Sequence, residues 1–102
     1  MYNMKELAVL ITGWAFDRNL IEGATPRDQF LKLIEEIGET AGAQARGNLD
    51  GVKDGIGDAF VVLTILAQQN GFTITECVNA AWEEIKDRKG RMVDGVFIKE
   101  GD

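Results

Sequence analysis

The residues of this chain best suited to chemistry are carboxylates on two consecutive segments. Glu35, Glu36 and Glu39 lie within five residues, and Asp54 and Asp58 follow after a glycine-rich break. Because an α-helix turns by about 100° per residue, the glutamates share one side of a helix and the aspartates share one face of the next. The chain contains no histidine. Oxygen ligands from two helices favour a hard divalent cation, Mg²⁺, which keeps some waters for a phosphate-bearing substrate.

Asp58 is the most informative of these carboxylates, because the run AFVVLTILA follows it. This run is apolar on every side of a helix, which predicts burial. An ionised carboxylate at the start of a buried helix is costly unless a positive charge meets it. No Lys or Arg occurs between Lys53 and Lys86. Either another helix or a metal ion must therefore supply that charge.

The three glutamates have a second interpretation. Considered alone, they are typical of a solvated surface, because the opposite side of their helix is apolar. The apolar residues on that side are Phe30, Leu33, Ile34, Ile37 and Ala41. The position of Asp58 before an apolar run favours the metal site over this interpretation.

Apolar residues at helical spacing predict an all-α protein with four helices. The helices are expected at about residues 4–18, 26–45, 50–69 and 73–89. Thr25-Pro26 is a typical helix start, and Asn48 or Asp50 is expected to cap the third helix. Residues 96–98 are a short apolar segment that predicts a packed extended arm or a single strand.

Length and composition restrict the class of protein. A chain of 102 residues with a net charge of −6 is expected to form one domain, residues 1–102, and its acidity disfavours a nucleic-acid groove. The single Cys77 excludes an internal disulfide and fits a reducing compartment. No apolar run is long enough to span a bilayer and no secretion signal is visible, so the protein is expected in the cytoplasm. So short a chain offers few helices to cover its apolar third helix, which predicts a dimer or a higher oligomer.

Two pairs of residues each have two interpretations. Trp14 and Phe16 are expected in the core, although an aromatic ring also stacks on a nucleotide base. Gly38 and Gly42 lie one turn apart beside the glutamates. Glycine weakens a helix by about 1 kcal/mol relative to alanine, so these positions indicate either close approach of a ligand or close helix packing.

A basic cluster ends the fourth predicted helix. Lys86, Arg88, Lys89 and Arg91 either contact phosphates or form a solvated helix end that complements the helix dipole. Opposite a carboxylate–metal site the phosphate interpretation gains support, because phosphate chemistry needs both a metal and cationic donors. The sequence has no GxxxxGK[ST] motif, and without histidine it cannot form a serine triad.

The sequence from Glu35 to Glu39, EEIGE, followed by Gly57-Asp58 and an apolar run, resembles the MazG-like family of all-α nucleoside triphosphate pyrophosphohydrolases. The signature of this family is EExxE on one helix and ExxD on the next. The similarity spans about residues 29–66 and extends more loosely through the fourth helix. It implies a four-helix, bundle-like fold that assembles as a dimer with sites at or near the subunit contact. The short chain resembles the single-domain phage-type members.

The resemblance implies hydrolysis of a nucleoside triphosphate to the monophosphate and pyrophosphate. It assigns Mg²⁺, with Mn²⁺ as a substitute, to Glu35, Glu36, Glu39 and Asp58. Glu35 or Glu36 is expected to orient or deprotonate the attacking water.

The resemblance also implies residues that bind the substrate. Lys32, one turn before Glu36, and Lys86 are expected to neutralise phosphate oxygens. Asn79, Lys86, Arg88 and Lys89 are similar to the substrate-facing residues of the family's fourth helix.

One position departs from the family pattern. The glutamate of ExxD, three residues before the aspartate, is replaced by Gly55. Asp54 lies one residue earlier and near the same helix face as Asp58. We expect Asp54 to replace the missing ligand, directly or through a water. Asp54→Ala is then expected to weaken the metal dependence, and Gly55→Glu to restore part of it.

Two further functions remain open from the sequence. A phosphoribosyl-ATP pyrophosphohydrolase would use the same acidic frame on another substrate. A non-catalytic helical dimer would use the acidic site for structural Mg²⁺ or as a partner-binding surface. The substrate specificity and turnover of the purified protein distinguish these functions.

Overall fold

Four helices and one β-hairpin follow one another along the chain. A computed structural model describes residues 1–101. The helices are α1 (Met4–Asp17), α2 (Pro26–Ala45), α3 (Leu49–Gln69) and α4 (Ile74–Ile85), and the strands are β1 (Gly90–Val93) and β2 (Val96–Lys99). The predicted all-α fold with four helices is confirmed, except that α4 ends at Ile85 and not at Arg88 or Lys89. Gly90 already begins β1, so the chain leaves the helix before it.

Side chains at the helix starts explain these boundaries. The Thr25 hydroxyl accepts a hydrogen bond from the Asp28 N–H (3.1 Å), with Pro26 in the first helical position. Of the two predicted caps of α3, Asn48 is the cap, since its side chain accepts from the Gly51 N–H at 3.1 Å.

Helices α2 and α3 form an antiparallel hairpin joined by a turn of three residues, in which Gly47 has a φ of 71°. The helices approach closely where Gly55 of α3 faces Thr40 of α2. A Cβ atom on Gly55 would lie 2.8 Å from the Thr40 Cβ and still closer to its hydroxyl oxygen. Gly55 is therefore required by packing. A side chain at position 55 would push the helices apart, so this contact argues against the expectation that Gly55→Glu restores metal dependence.

The buried core surrounds α3. One cluster joins Ala15, Ile21 and Ile65, and a second joins Ala8, Ala67 and Ile74. Alanine at positions 8 and 15 lets α1 lie close against α3. The Gln69 side chain at the end of α3 donates to the carbonyl oxygens of Ile21 (3.3 Å) and Ala24 (3.0 Å), which fixes the connector between α1 and α2.

Several apolar faces are not covered by the described chain. On α2, Phe30, Ile34 and Ile37 are 52%, 65% and 55% exposed. The stripe predicted on α4 is also exposed, at Val78, Trp82 and Ile85.

The prediction that Trp14 and Phe16 lie in the core is wrong for the single chain, because both are exposed. The Arg18 guanidinium instead lies 4.6 Å from the centre of the Trp14 ring. Small residues, Ala8 and Ala15, make the buried contacts of α1 in their place.

The segment at residues 96–98 is one strand of a hairpin and not a packed arm. Strands β1 and β2 pair antiparallel, with Met92 opposite Phe97. Asp94 and Gly95 both have positive φ, 49° and 80°, as the twist of a two-residue hairpin turn requires. All eight strand residues are exposed. Among residues 1–101, no helix is long and apolar enough to cross a membrane.

We predict opposite effects of alanine at two neighbouring glycines of α3. Gly55→Ala should lower the free energy of unfolding by about 1–3 kcal/mol, because the new methyl group overlaps Thr40. Gly57→Ala is the matched control, since no atom lies within 4 Å of its Cβ position. It should leave stability unchanged or raise it by up to about 1 kcal/mol through helix propensity. Urea unfolding of both variants measures this, and equal stabilities would contradict the close contact.

Candidate metal and nucleotide site

A cavity of about 180 Å³ between α2 and α3 carries four of the five predicted metal ligands on its walls. Glu36 and Glu39 line it from α2, and Asp54 and Asp58 line it from α3. The antiparallel register set by Thr40 and Gly55 brings the two acidic helix faces to the same level. The other lining residues are Thr40, Ala43, Arg46, Asn48, Gly51 and Gly55.

Glu36 is the buried carboxylate of this site, with 8% of its surface exposed. Its counter-ion is Lys32, one turn earlier, whose ammonium nitrogen lies 3.3 Å from Glu36 Oε1 and 3.7 Å from Glu35 Oε1. The hydrogen bond with Glu36, followed by the negative charge of Glu35, raises the pKa of the Lys32 ammonium. Lys32 is therefore charged at neutral pH and faces the carboxylates.

Thr40 supports the same turn of α2. Its hydroxyl donates to the Glu36 carbonyl oxygen at 2.6 Å while its side chain packs against Gly55. One residue thus fixes both the spacing of the helices and the backbone that carries Glu36.

Asp58 is not the buried charge that the sequence predicted. Its side chain is exposed, although it lines the cavity together with Glu36. The apolar run after Asp58 is buried at Val62 and at residues 64–67, but Leu63 is exposed. The free-energy cost of burying a carboxylate, which the sequence indicated for Asp58, therefore applies to Glu36.

Glu35 lies on the Lys32 side of α2 and is not among the residues that line the cavity. Its side chain is 59% exposed. Glu35 thus lies at the rim of the cavity. Its connection to the site is the Lys32 ammonium, which pairs with both Glu35 and Glu36.

The donor set fits a hard divalent cation by its chemistry. Four carboxylates, an amide and a hydroxyl surround the cavity, and these oxygens are the ligands that Mg²⁺ prefers. Within residues 1–101 no three acidic side chains lie close enough together to form a preassembled metal site. Rotation of the glutamate and aspartate side chains toward a common point would be part of binding.

The predicted substrate residue Asn79 does not line the acidic cavity. It lines an apolar cavity of about 410 Å³ between α1, α3 and α4, together with Phe60 and Trp82. No carboxylate of the acidic cavity lines this second one. Within the described chain, Asn79 and the acidic residues therefore line two different cavities.

The basic residues of the C-terminal segment are also apart from the acidic cavity. Lys86 pairs with Glu83 at 2.7 Å, and Arg88 pairs with Glu84 at 3.3 Å. Lys89 lines a separate surface groove with Arg88. Within one chain these two ion pairs agree with the solvated helix end that the sequence left open.

Arg46, which was not predicted from the sequence, lines the acidic cavity from the end of α2. A signal for it was present, because Gly42 lies one turn earlier on the same helix. The Arg46 Nη1 atom lies 3.1 Å from the position that a Cβ on Gly42 would occupy. Gly42 thus gives space to a side chain of its own helix, whereas no atom lies within 4 Å of a Cβ on Gly38. Among the helices of residues 1–101, neither glycine lies at a close helix–helix contact.

The fold and the cavity define a class of all-α protein that is built around an acidic helical hairpin. Residues 24–93 match the sequence model of the MazG nucleotide pyrophosphohydrolase domain, and the chain belongs to this family. The matched range contains α2, α3, α4 and the acidic cavity.

A protein of Haemophilus phage HP1 (strain HP1c1) is similar to this chain. It is described as an uncharacterized 18.2 kDa protein in the rep-hol intergenic region, and it is 50% identical over 70 residues. The match covers 69% of this chain and 43% of the phage protein, so the chain spans less than half the length of this relative. No solved structure matches the chain.

Proposed function

We propose that this protein is a Mg²⁺-dependent nucleoside triphosphate pyrophosphohydrolase that converts (d)NTP to (d)NMP and pyrophosphate. The observation that carries the proposal is the cavity between α2 and α3, around which four carboxylates are arranged in a chain of the MazG family. The phage relative and the acidic composition support a role in the cytoplasm of a bacterium or a phage-infected cell, without nucleic acid as a partner.

In this proposal Glu36, Glu39 and Asp58 hold the metal. Asp54 takes the place of the family's missing glutamate, because it lines the same cavity while Gly55 is occupied by packing. Glu35 completes the acidic set from the rim. Bound Mg²⁺, or Mn²⁺ in its place, would supply polarisation of a phosphate oxygen.

The chain's own residues position the water and the substrate. Glu36, fixed by burial and by Lys32, orients the attacking water and accepts its proton, with Glu35 as the neighbouring base. The oxygen of the water joins phosphorus as the bond between the α- and β-phosphates breaks, and pyrophosphate leaves. Lys32 lies at the rim, where its ammonium pairs with Glu36 and Glu35 and would also neutralise phosphate oxygens.

The test of this function is the identity of the products. The purified protein should convert a nucleoside triphosphate to monophosphate and pyrophosphate, and EDTA should abolish the activity. Asp58→Asn should lower kcat/KM by at least about 100-fold, because a metal contributes several kcal/mol to the transition state. A panel of canonical and modified nucleoside triphosphates, with phosphoribosyl-ATP, identifies the substrate by chromatography of the products. Orthophosphate as the first product would refute the proposal.

We predict that Asp54 contributes to metal binding although it stands outside the family motif. Asp54→Ala should raise the Mg²⁺ concentration needed for half-maximal activity by about 10-fold or more, since one carboxylate ligand is lost. Asp50→Ala is the matched control, because Asp50 is exposed in the first turn of α3 and does not line the cavity. Unchanged Mg²⁺ titration of Asp54→Ala would show that Asp54 is only a charge near the helix start.

We also propose that the active form is a homodimer or a higher oligomer. The Cα radius of gyration is 16.0 Å, whereas a closed domain of this length has about 13 Å. Apolar residues at Phe30, Ile34 and Ile37 form an exposed stripe on α2, and a second copy would bury it. Assembly would also let α4 of another copy bring Asn79, Lys86, Arg88 and Lys89 toward an acidic cavity.

The α2 stripe predicts a specific effect on assembly. Ile34→Glu should shift the protein to the monomer at micromolar concentration, because a charge would be buried without a partner in the interface. Ile34→Leu, which keeps an apolar side chain of the same size in the stripe, is the control and should leave assembly unchanged. Light scattering measures both variants. A parent protein that is monomeric at this concentration would contradict the oligomer.

A further inference from the structure

Arg46 is a cation placed at an acidic cavity and held there by the turn between α2 and α3. Its N–H donates to the Gly42 carbonyl oxygen at 3.1 Å. The next two N–H groups, of Gly47 and Asn48, donate to Gln44 (3.1 Å) and Ala43 (2.9 Å). All three backbone N–H groups from Arg46 to Asn48 are therefore hydrogen-bonded, which fixes the origin of the Arg46 side chain.

The Arg46 side chain returns along α2 toward the carboxylates. Its Nη1 atom lies over Gly42, and the residue lines the cavity together with Glu36, Glu39 and Asp58. Among residues 1–101 no other Lys or Arg lines this cavity. Within the same residues its guanidinium group has no hydrogen-bond or ion-pair partner, whereas Lys32 is already paired with Glu36.

We propose that Arg46 binds the terminal phosphates of the substrate, the part that leaves as pyrophosphate. This inference rests on the function proposed above. If the bond that breaks lies at the level of Glu36 and Asp58, a phosphate chain directed toward the α2–α3 turn ends near Arg46. The carboxylates of the cavity would then bind the metal ion, and the Arg46 guanidinium would remain available for the phosphate oxygens.

The chemistry of the guanidinium suits this part of the substrate. Arginine offers planar, paired N–H donors that bind phosphate oxygens in a bidentate manner. It stays protonated, so it neutralises the charge that the leaving pyrophosphate gains and transfers no proton itself. A lysine at this position would keep the charge and lose the paired geometry.

The alternative is that Arg46 only complements the negative end of the α2 dipole. That role predicts a small loss of thermal stability in Arg46→Ala and no change in ligand affinity. A phosphate-binding role predicts a selective loss for pyrophosphate, because the monophosphate product lacks the terminal phosphates.

The experiment measures binding of pyrophosphate and of nucleoside monophosphate, each with Mg²⁺, by calorimetry, together with kcat and KM. Arg46→Ala should weaken pyrophosphate binding by about 10- to 100-fold, the range for a lost charge-assisted hydrogen bond. Affinity for the monophosphate should not change, and Arg46→Lys should be intermediate. Arg27→Ala, an exposed arginine in the first turn of α2, removes the same charge and should match the parent.

The two proposals fail in different ways. Turnover by the parent with unchanged pyrophosphate affinity in Arg46→Ala would overturn the role of Arg46 and leave the hydrolase intact. Equal weakening for pyrophosphate and monophosphate, or a parent that binds no pyrophosphate, would also overturn it. A parent without turnover whose pyrophosphate binding depends on Arg46 would refute the hydrolase and retain Arg46 as an anion-binding residue.

Discussion

The close contact between Gly55 and Thr40 is the constraint on which the acidic site depends. It sets the distance between α2 and α3, and its antiparallel register places the acidic residues of both helices around one cavity. The MazG family's second motif has a glutamate where this chain has Gly55. A side chain there is incompatible with the observed helix spacing, so the acidic group available from that turn is Asp54.

The charges of the site follow from the same packing. Because α2 turns its Glu36 face toward α3, a carboxylate is buried where an apolar residue would otherwise lie. Lys32 offsets this charge from one turn earlier on α2, and Arg46 lines the cavity from the turn between α2 and α3. Carboxylates held together repel one another, and burial adds to that cost. A bound divalent cation would relieve both effects, which is the physical link between this packing and the proposed chemistry.

The core formed by residues 1–101 leaves apolar parts of the outer helix surfaces exposed. Small clusters around α3 join α1, α3 and α4, while the apolar stripe of α2 and both strands of the hairpin are exposed. A two-stranded hairpin alone is only marginally stable in water. The exposed stripe on α2 is the surface that the proposed assembly with further copies of the chain would bury.

The sequence by itself determined the helices and the identity of the acidic residues. Thr25-Pro26 and Asn48 determine helix starts through local hydrogen bonds, and the spacing of the carboxylates depends only on helical periodicity. Only the tertiary structure decided which carboxylate is buried. The apolar run after Asp58 predicted burial of that residue, whereas helix packing exposes Asp58 and buries Glu36. The role of Gly55 likewise depends on the distance between two helices, and Gly42 marked the place of Arg46 in the sequence without giving the path of its side chain. Helical periodicity determines which face of a helix carries a side chain, whereas the packing of the helices determines which residues that side chain contacts.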